Sequence, residues 1–258
     1  MRPARTIGTP PPRRRRDDGA NDHQIDRLME RAERALLATR YFEAERLCRR
    51  ALERARRRRD FGRMARILMP LQETRRQKRQ LAADADRRAL VSRRMGGSIR
   101  AGFHLVQPPL VGIDARDLRE RADESGTPVF VLCREPMTKG GLWPIVAAGP
   151  TPGRALPLVI RTRVPPPRSR GATRSAPRAV TPPAAWFEAA GEALGDAAIA
   201  SVPGSLHPAW RVDELAALLD AFPDHEKLHQ RLEEACREAL IAPPPGRRPR
   251  TFGDPCCF

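Results

Sequence analysis

An α+β fold is predicted by three features of the sequence. Apolar residues recur at three-and-four spacing between residues 22 and 95 and again between 184 and 241, the period of helices that bury one face. Between these stretches, residues 98–163 hold five short apolar runs bounded by Pro and Gly, which read as strands of a small mixed sheet. Charge divides along the same lines: residues 1–100 carry 29 Lys and Arg against 13 Asp and Glu, whereas 184–241 carry four against eleven. The expected organisation is a disordered basic arm (1–21), a basic helical unit (22–95), an α+β body (98–163 with 184–241), a Pro- and Arg-rich linker (164–183) and a disordered tail (242–258).

In order along the chain, Ile25, Leu28, Met29, Ala32, Ala35 and Leu36 share one helical face, with Asn21 and Asp22 as caps. After a short break at 38–40, Tyr41, Ala44, Leu47, Cys48, Ala51, Leu52 and Ala55 form a second face, so an antiparallel hairpin is expected. A third helix begins at Phe61 behind a capping Asp60 and buries Met64, Ala65, Leu68 and Leu71, with Pro70 expected to kink or split it. The strand-like runs are 103–106, 110–113, 129–133, 142–147 and 156–160, and a short helix at 114–125, capped by Asp114 and stopped by Gly126, crosses between two of them. Helices at 184–194, 208–222 and 225–241 follow, acidic where the first three are basic.

Tyr41, Ala44, Cys48, Ala51 and Leu52 form an aromatic, alanine, small-residue pattern that resembles the second helix of a tetratricopeptide repeat over residues 28–58. The resemblance implies closely paired helices and a groove for a peptide or partner protein. Thr39 stands where that family usually has a turn glycine and Arg56 where it often has proline. One period of about 34 residues later, Arg75 and Lys78 replace the aromatic and the alanine. The residues expected to meet a partner are Tyr41, Arg49, Arg56, Arg59, Arg75 and Arg79, whose charge suits an acidic protein.

The net charge of +17 lies almost wholly in the first hundred residues, and 45 of the 48 cations are arginine. An Arg, Ala, Pro and Gly excess is what GC-rich coding produces, and we assign the ratio to that. Clusters such as 13–16 and 56–59 suit phosphate, so nonspecific nucleic-acid binding is one alternative function; no base-reading motif accompanies them. A second alternative is a zinc-dependent hydrolase. His225-Glu226-Lys227-Leu228-His229 matches H-E-x-x-H, in which two histidines one turn apart hold zinc and the glutamate is the general base. A third ligand is not supplied with it, and Lys227 occupies an inner position, so the motif is expected to be a capped helix start without metal. Five cysteines without C-x-x-C spacing exclude a disulfide framework and a zinc ribbon, and Cys48, Cys133 and Cys236 read as buried. Pro255 occupies the fourth position from the end, where prenylation requires cysteine. Residues 1–20 hold no apolar run, so no signal peptide or membrane anchor is expected, and the location is expected to be cytoplasmic. The phosphate-loop, dinucleotide and nucleophile-elbow patterns are absent. The resulting expectation is a non-enzymatic interaction or scaffolding protein without a cofactor.

Overall fold

The computed structural model describes residues 14–94, 96–150, 158–167 and 181–246, with side chains from residue 23 onward. The arm before residue 14, most of the linker and the tail after 246 lie outside the described residues. Helices α1 (Arg14–Leu37), α2 (Tyr41–Arg57) and α3 (Phe61–Asp84) run back and forth in sequence, and a five-stranded sheet follows. Its strands are β1 (Arg88–Val91), β2 (Gly102–Val106), β3 (Val129–Arg134), β4 (Trp143–Ala148) and β5 (Val159–Val164), with α4 (Gly112–Glu124) between β2 and β3. Helices α5 (Ala184–Ala200), α6 (Pro208–Ala221) and α7 (Glu226–Ile241) complete an α+β fold.

The strands lie in chain order, β1 to β3 parallel and β3 to β5 antiparallel. Strands β2 and β3 are buried nearly throughout because both sheet faces are covered, which is why they read as unbroken apolar runs. Successive side chains point to opposite faces. Phe103, Leu105, Phe130 and Leu132 join the large core under α3, α5 and α7, while Val106, Val131 and Cys133 meet Ala115, Leu118 and Ala122 of α4 on the other side. The large core also contains Ile25, Leu47 and Met64, so the N-terminal helices share it with the sheet and the C-terminal helices. Glycine is required at one strand start: Gly102 has φ +128, and a Cβ there would lie 2.4 Å from the Arg87 carbonyl oxygen.

Four expectations are corrected. Helix α1 begins at Arg14, so residues 14–21 are helical rather than disordered; once a helix is nucleated, each further turn is cheap to add. Pro70 does not split α3, because Leu68 and Leu71 on either side of it are both buried, and packing outweighs the lost backbone bond. Residues 110–113 are not a strand: Gly112 already belongs to α4, Val111 and Ile113 are exposed, and Asp114 accepts from the Val111 N–H at 2.9 Å. Finally, Arg88–Val91, assigned to the helical unit, is the edge strand of the sheet. The expected cap at Asp60 is present, its carboxylate accepting from the Arg63 N–H at 2.9 Å.

Candidate functional site

A cleft of about 470 Å³ opens between α2, α4 and the turn from α6 to α7. Its floor is the sheet surface at the edge of α4, with Val131, Cys133, Val146 and Ala148, extended by Leu219 and Phe222. Gly112 and Ala115 line it from α4 and Ala147 from β4. The walls are arginine. Helix α2 presents Arg46, Arg49, Arg50 and Arg56 at three-and-four spacing, and α4 presents Arg116 and Arg119 from the opposite side.

Beneath α2 the cleft ends on a buried ionic cluster. Glu45 accepts from Arg75 at 2.9 Å and from Lys78 at 2.5 Å, and Lys78 also reaches Asp123 at 2.5 Å while lying over the Phe42 ring. Burial alone would raise the Glu45 carboxyl pKa, but Arg75, Lys78 and Arg119 together hold it well below the usual carboxylate range. Arg119, its charge favoured by Asp224 and Asp123 despite its burial, pairs with Asp224 at 3.2 Å. The cluster therefore ties α2, α3 and α4 to the start of α7.

The arginines predicted to meet a partner divide. Arg49, Arg56 and Arg75 line the cleft, whereas Tyr41, Arg59 and Arg79 lie outside it. Several are engaged within the chain. Arg56 pairs with Asp220 at 3.2 Å, Arg59 with Asp213 at 3.2 Å while lying over Trp210, and Arg79 with Glu226 at 2.9 Å. Arg46, Arg49 and Arg50 are exposed and have no acidic partner among the described residues. In the facing wall, Arg116 pairs with Glu120 at 2.6 Å, yet its Nη1 is buried without a hydrogen-bond partner.

The two histidines of the H-E-x-x-H motif do not converge on one point. His229 Nδ1 donates to the His225 carbonyl at 3.0 Å, so its Nε2 is the acceptor, and Arg75 donates to it at 3.1 Å. Burial, and then the Arg75 charge, push the His229 pKa down to about 3, which keeps the ring neutral. His225 instead faces α5, with Nε2 3.3 Å from Glu192 and 3.6 Å from Asp196. Glu226, the candidate general base, spends its carboxylate on Arg79. Cys133 lies in the cleft floor, where burial pushes its thiol up to about 12 and away from nucleophilic use.

Sequence reasoning missed Glu45, Arg116, Arg119, Asp123, Glu192 and Asp196. One signal was present: the chain has only three lysines, and Lys78 and Lys227 each reach two carboxylates with one compact ammonium. Compared with protein-family models, curated proteins and solved structures, the chain matches none. Among the described residues, no helix is long and apolar enough to cross a membrane.

Proposed function

We propose that this protein is a non-enzymatic binding module whose arginine-walled cleft takes an acidic segment of a partner protein. The observation that carries the reading is the contrast among its arginines. Arg56, Arg59, Arg75 and Arg79 are neutralised within the chain, whereas Arg46, Arg49 and Arg50 face the cleft unpaired and Arg116 Nη1 opposes them without an acceptor. The exposed guanidiniums of Arg46, Arg49 and Arg50 keep their donors available for a carboxylate entering between α2 and α4, which can pair with them through charge-assisted hydrogen bonds. The apolar floor suits one aliphatic or aromatic side chain of the same segment. The helical hairpin that resembles a tetratricopeptide repeat supplies one wall, in keeping with a partner-binding role.

The test is fluorescence anisotropy with a labelled peptide alternating Glu and Leu. Binding is expected to weaken steeply with salt and by about tenfold or more in Arg49→Glu and Arg46→Glu. Peptide affinity that is indifferent to these substitutions overturns the reading. Displacement of the peptide by single-stranded RNA at lower concentration favours nucleic acid as the ligand instead.

A further inference from the structure

We propose that Glu192, Asp196 and His225 form a zinc site at the junction of α5 and α7, distinct from the arginine cleft. One ligand atom from each residue lies within 4.8 Å of the other two. Two protein ligands on tetrahedral zinc, with bonds of about 2.0–2.1 Å, sit roughly 3.3–3.4 Å apart. His225 Nε2 is 3.3 Å from Glu192 Oε2 and 3.6 Å from Asp196 Oδ1, close to that edge length. Glu192 and Asp196 are one turn apart on α5, so both carboxylates leave the same face.

The imidazole points independently to a ligand. His225 is 1% exposed, and neither ring nitrogen has a hydrogen-bond partner, although Nε2 is aimed at the carboxylates. Nε2, which meets Glu192 at 3.3 Å outside hydrogen-bond geometry, is the nitrogen a metal would satisfy, and a buried imidazole nitrogen left unsatisfied is costly. The ring is held in place on two sides. It stacks near Phe222, with centroids 6.4 Å apart, and it rests on bare backbone at Gly195, where a Cβ would fall 2.1 Å from the ring. The carboxylates are about half exposed, which leaves solvent to complete the coordination sphere.

Lys227 competes for the same charge. Its ammonium lies 3.0 Å from Asp196 and 3.3 Å from Glu192, and as an exposed side chain it can swing into water when a metal enters. The site thus uses the first histidine of H-E-x-x-H with two acids from a helix about thirty residues earlier in the chain, rather than the second histidine.

The experiment is a zinc titration of the full chain carrying Cys256→Ser and Cys257→Ser, which removes the competing thiols near the C-terminus, read by competition with a chromophoric chelator. One equivalent is expected to bind. Glu192→Gln and Asp196→Asn should each weaken it by about tenfold or more, and Lys227→Ala should tighten it about fivefold. His225→Ala should abolish it. Because that substitution falls in the core, the two exposed carboxylate variants carry the test if it fails to fold. No stoichiometric zinc in either the parent or Lys227→Ala overturns the proposal, and so does an affinity unchanged by both carboxylate substitutions.

Discussion

Arg75 and His229, 154 residues apart in sequence, meet at 3.1 Å in the interior, where the guanidinium donates to Nε2 of the imidazole. The same guanidinium donates through Nε to Glu45 at 2.9 Å. Helices α2, α3 and α7 are therefore joined by one chain of polar contacts through Glu45, Arg75 and His229, ending on the His225 carbonyl. Each member sets the protonation state of the next. The carboxylate must be ionised to balance the guanidinium, and the imidazole must be neutral to accept from it.

This arrangement makes folding sensitive to acid. The His229 pKa falls to about 3 in the folded protein from an ordinary 6.5, so between these values the unfolded chain binds the extra proton. Stability consequently rises with pH across that window and is lost as pH falls through it, by an amount on the order of a few kcal/mol. Glu45, whose pKa is also depressed, adds a loss of the same sign once the pH drops below its ordinary value of 4.5. Urea melts between pH 7.5 and 4 should show this decline. His229→Gln, which cannot take up the proton, should reduce the slope above pH 4.5, leaving the part due to His104 and His225, whose pKa values burial also lowers.

Removing one charge from the cluster should be more damaging than its energy as an ion pair implies. Glu45→Ala leaves Arg75 and Lys78 buried with no balancing carboxylate beyond Asp123, a loss expected to be about 3–5 kcal/mol. Chemical denaturation would measure it. A cost below about 1 kcal/mol, typical of surface pairs, would show that water reaches the cluster.

How far the fold was legible depended on whether apolar spacing carried the information. Helix α2 was legible because Ala44, Cys48, Ala51 and Ala55 are all fully buried at helical spacing. The second half of α3 was not, since its buried face is Thr74, Arg75 and Lys78 with Ala82 the one apolar member, and charged residues in sequence read as a solvated face. Strand β1 escaped because an edge strand with one exposed arginine has little apolar signal. The cleft was half legible: α2 arginines were singled out, but Arg116 and Arg119 look like ordinary members of a charged helix until α2 is folded across from them.

The turn after α1 offers a stabilising substitution. Thr39 has φ +57, a left-handed conformation that costs a β-branched residue about 1–2 kcal/mol, and Thr39→Gly should recover roughly 1 kcal/mol after the added entropy of the unfolded glycine. Arg59 sits at φ +54 in the matching turn after α2, yet Arg59→Gly should gain less, because it also forfeits the Asp213 pair and the contact with Trp210. Paired thermal melts of the two variants would separate backbone relief from side-chain loss.

The contact between Gly195 and His225 can be tested by the way two substitutions combine. Adding a Cβ at Gly195 places it 2.1 Å from His225 Cγ and 2.3 Å from Nδ1, well inside any real contact distance, so the ring or α5 must move. Because the imidazole is confined by Phe222 and by the packing of α7, Gly195→Ala should destabilise the protein by about 2–3 kcal/mol despite the better helix propensity of alanine. His225→Ala removes the obstructing ring, and in that background Gly195→Ala should be nearly neutral or stabilising. The double-mutant cycle should therefore return a coupling of about 2 kcal/mol or more. Additive effects would mean that Gly195 is needed for some reason other than the histidine above it.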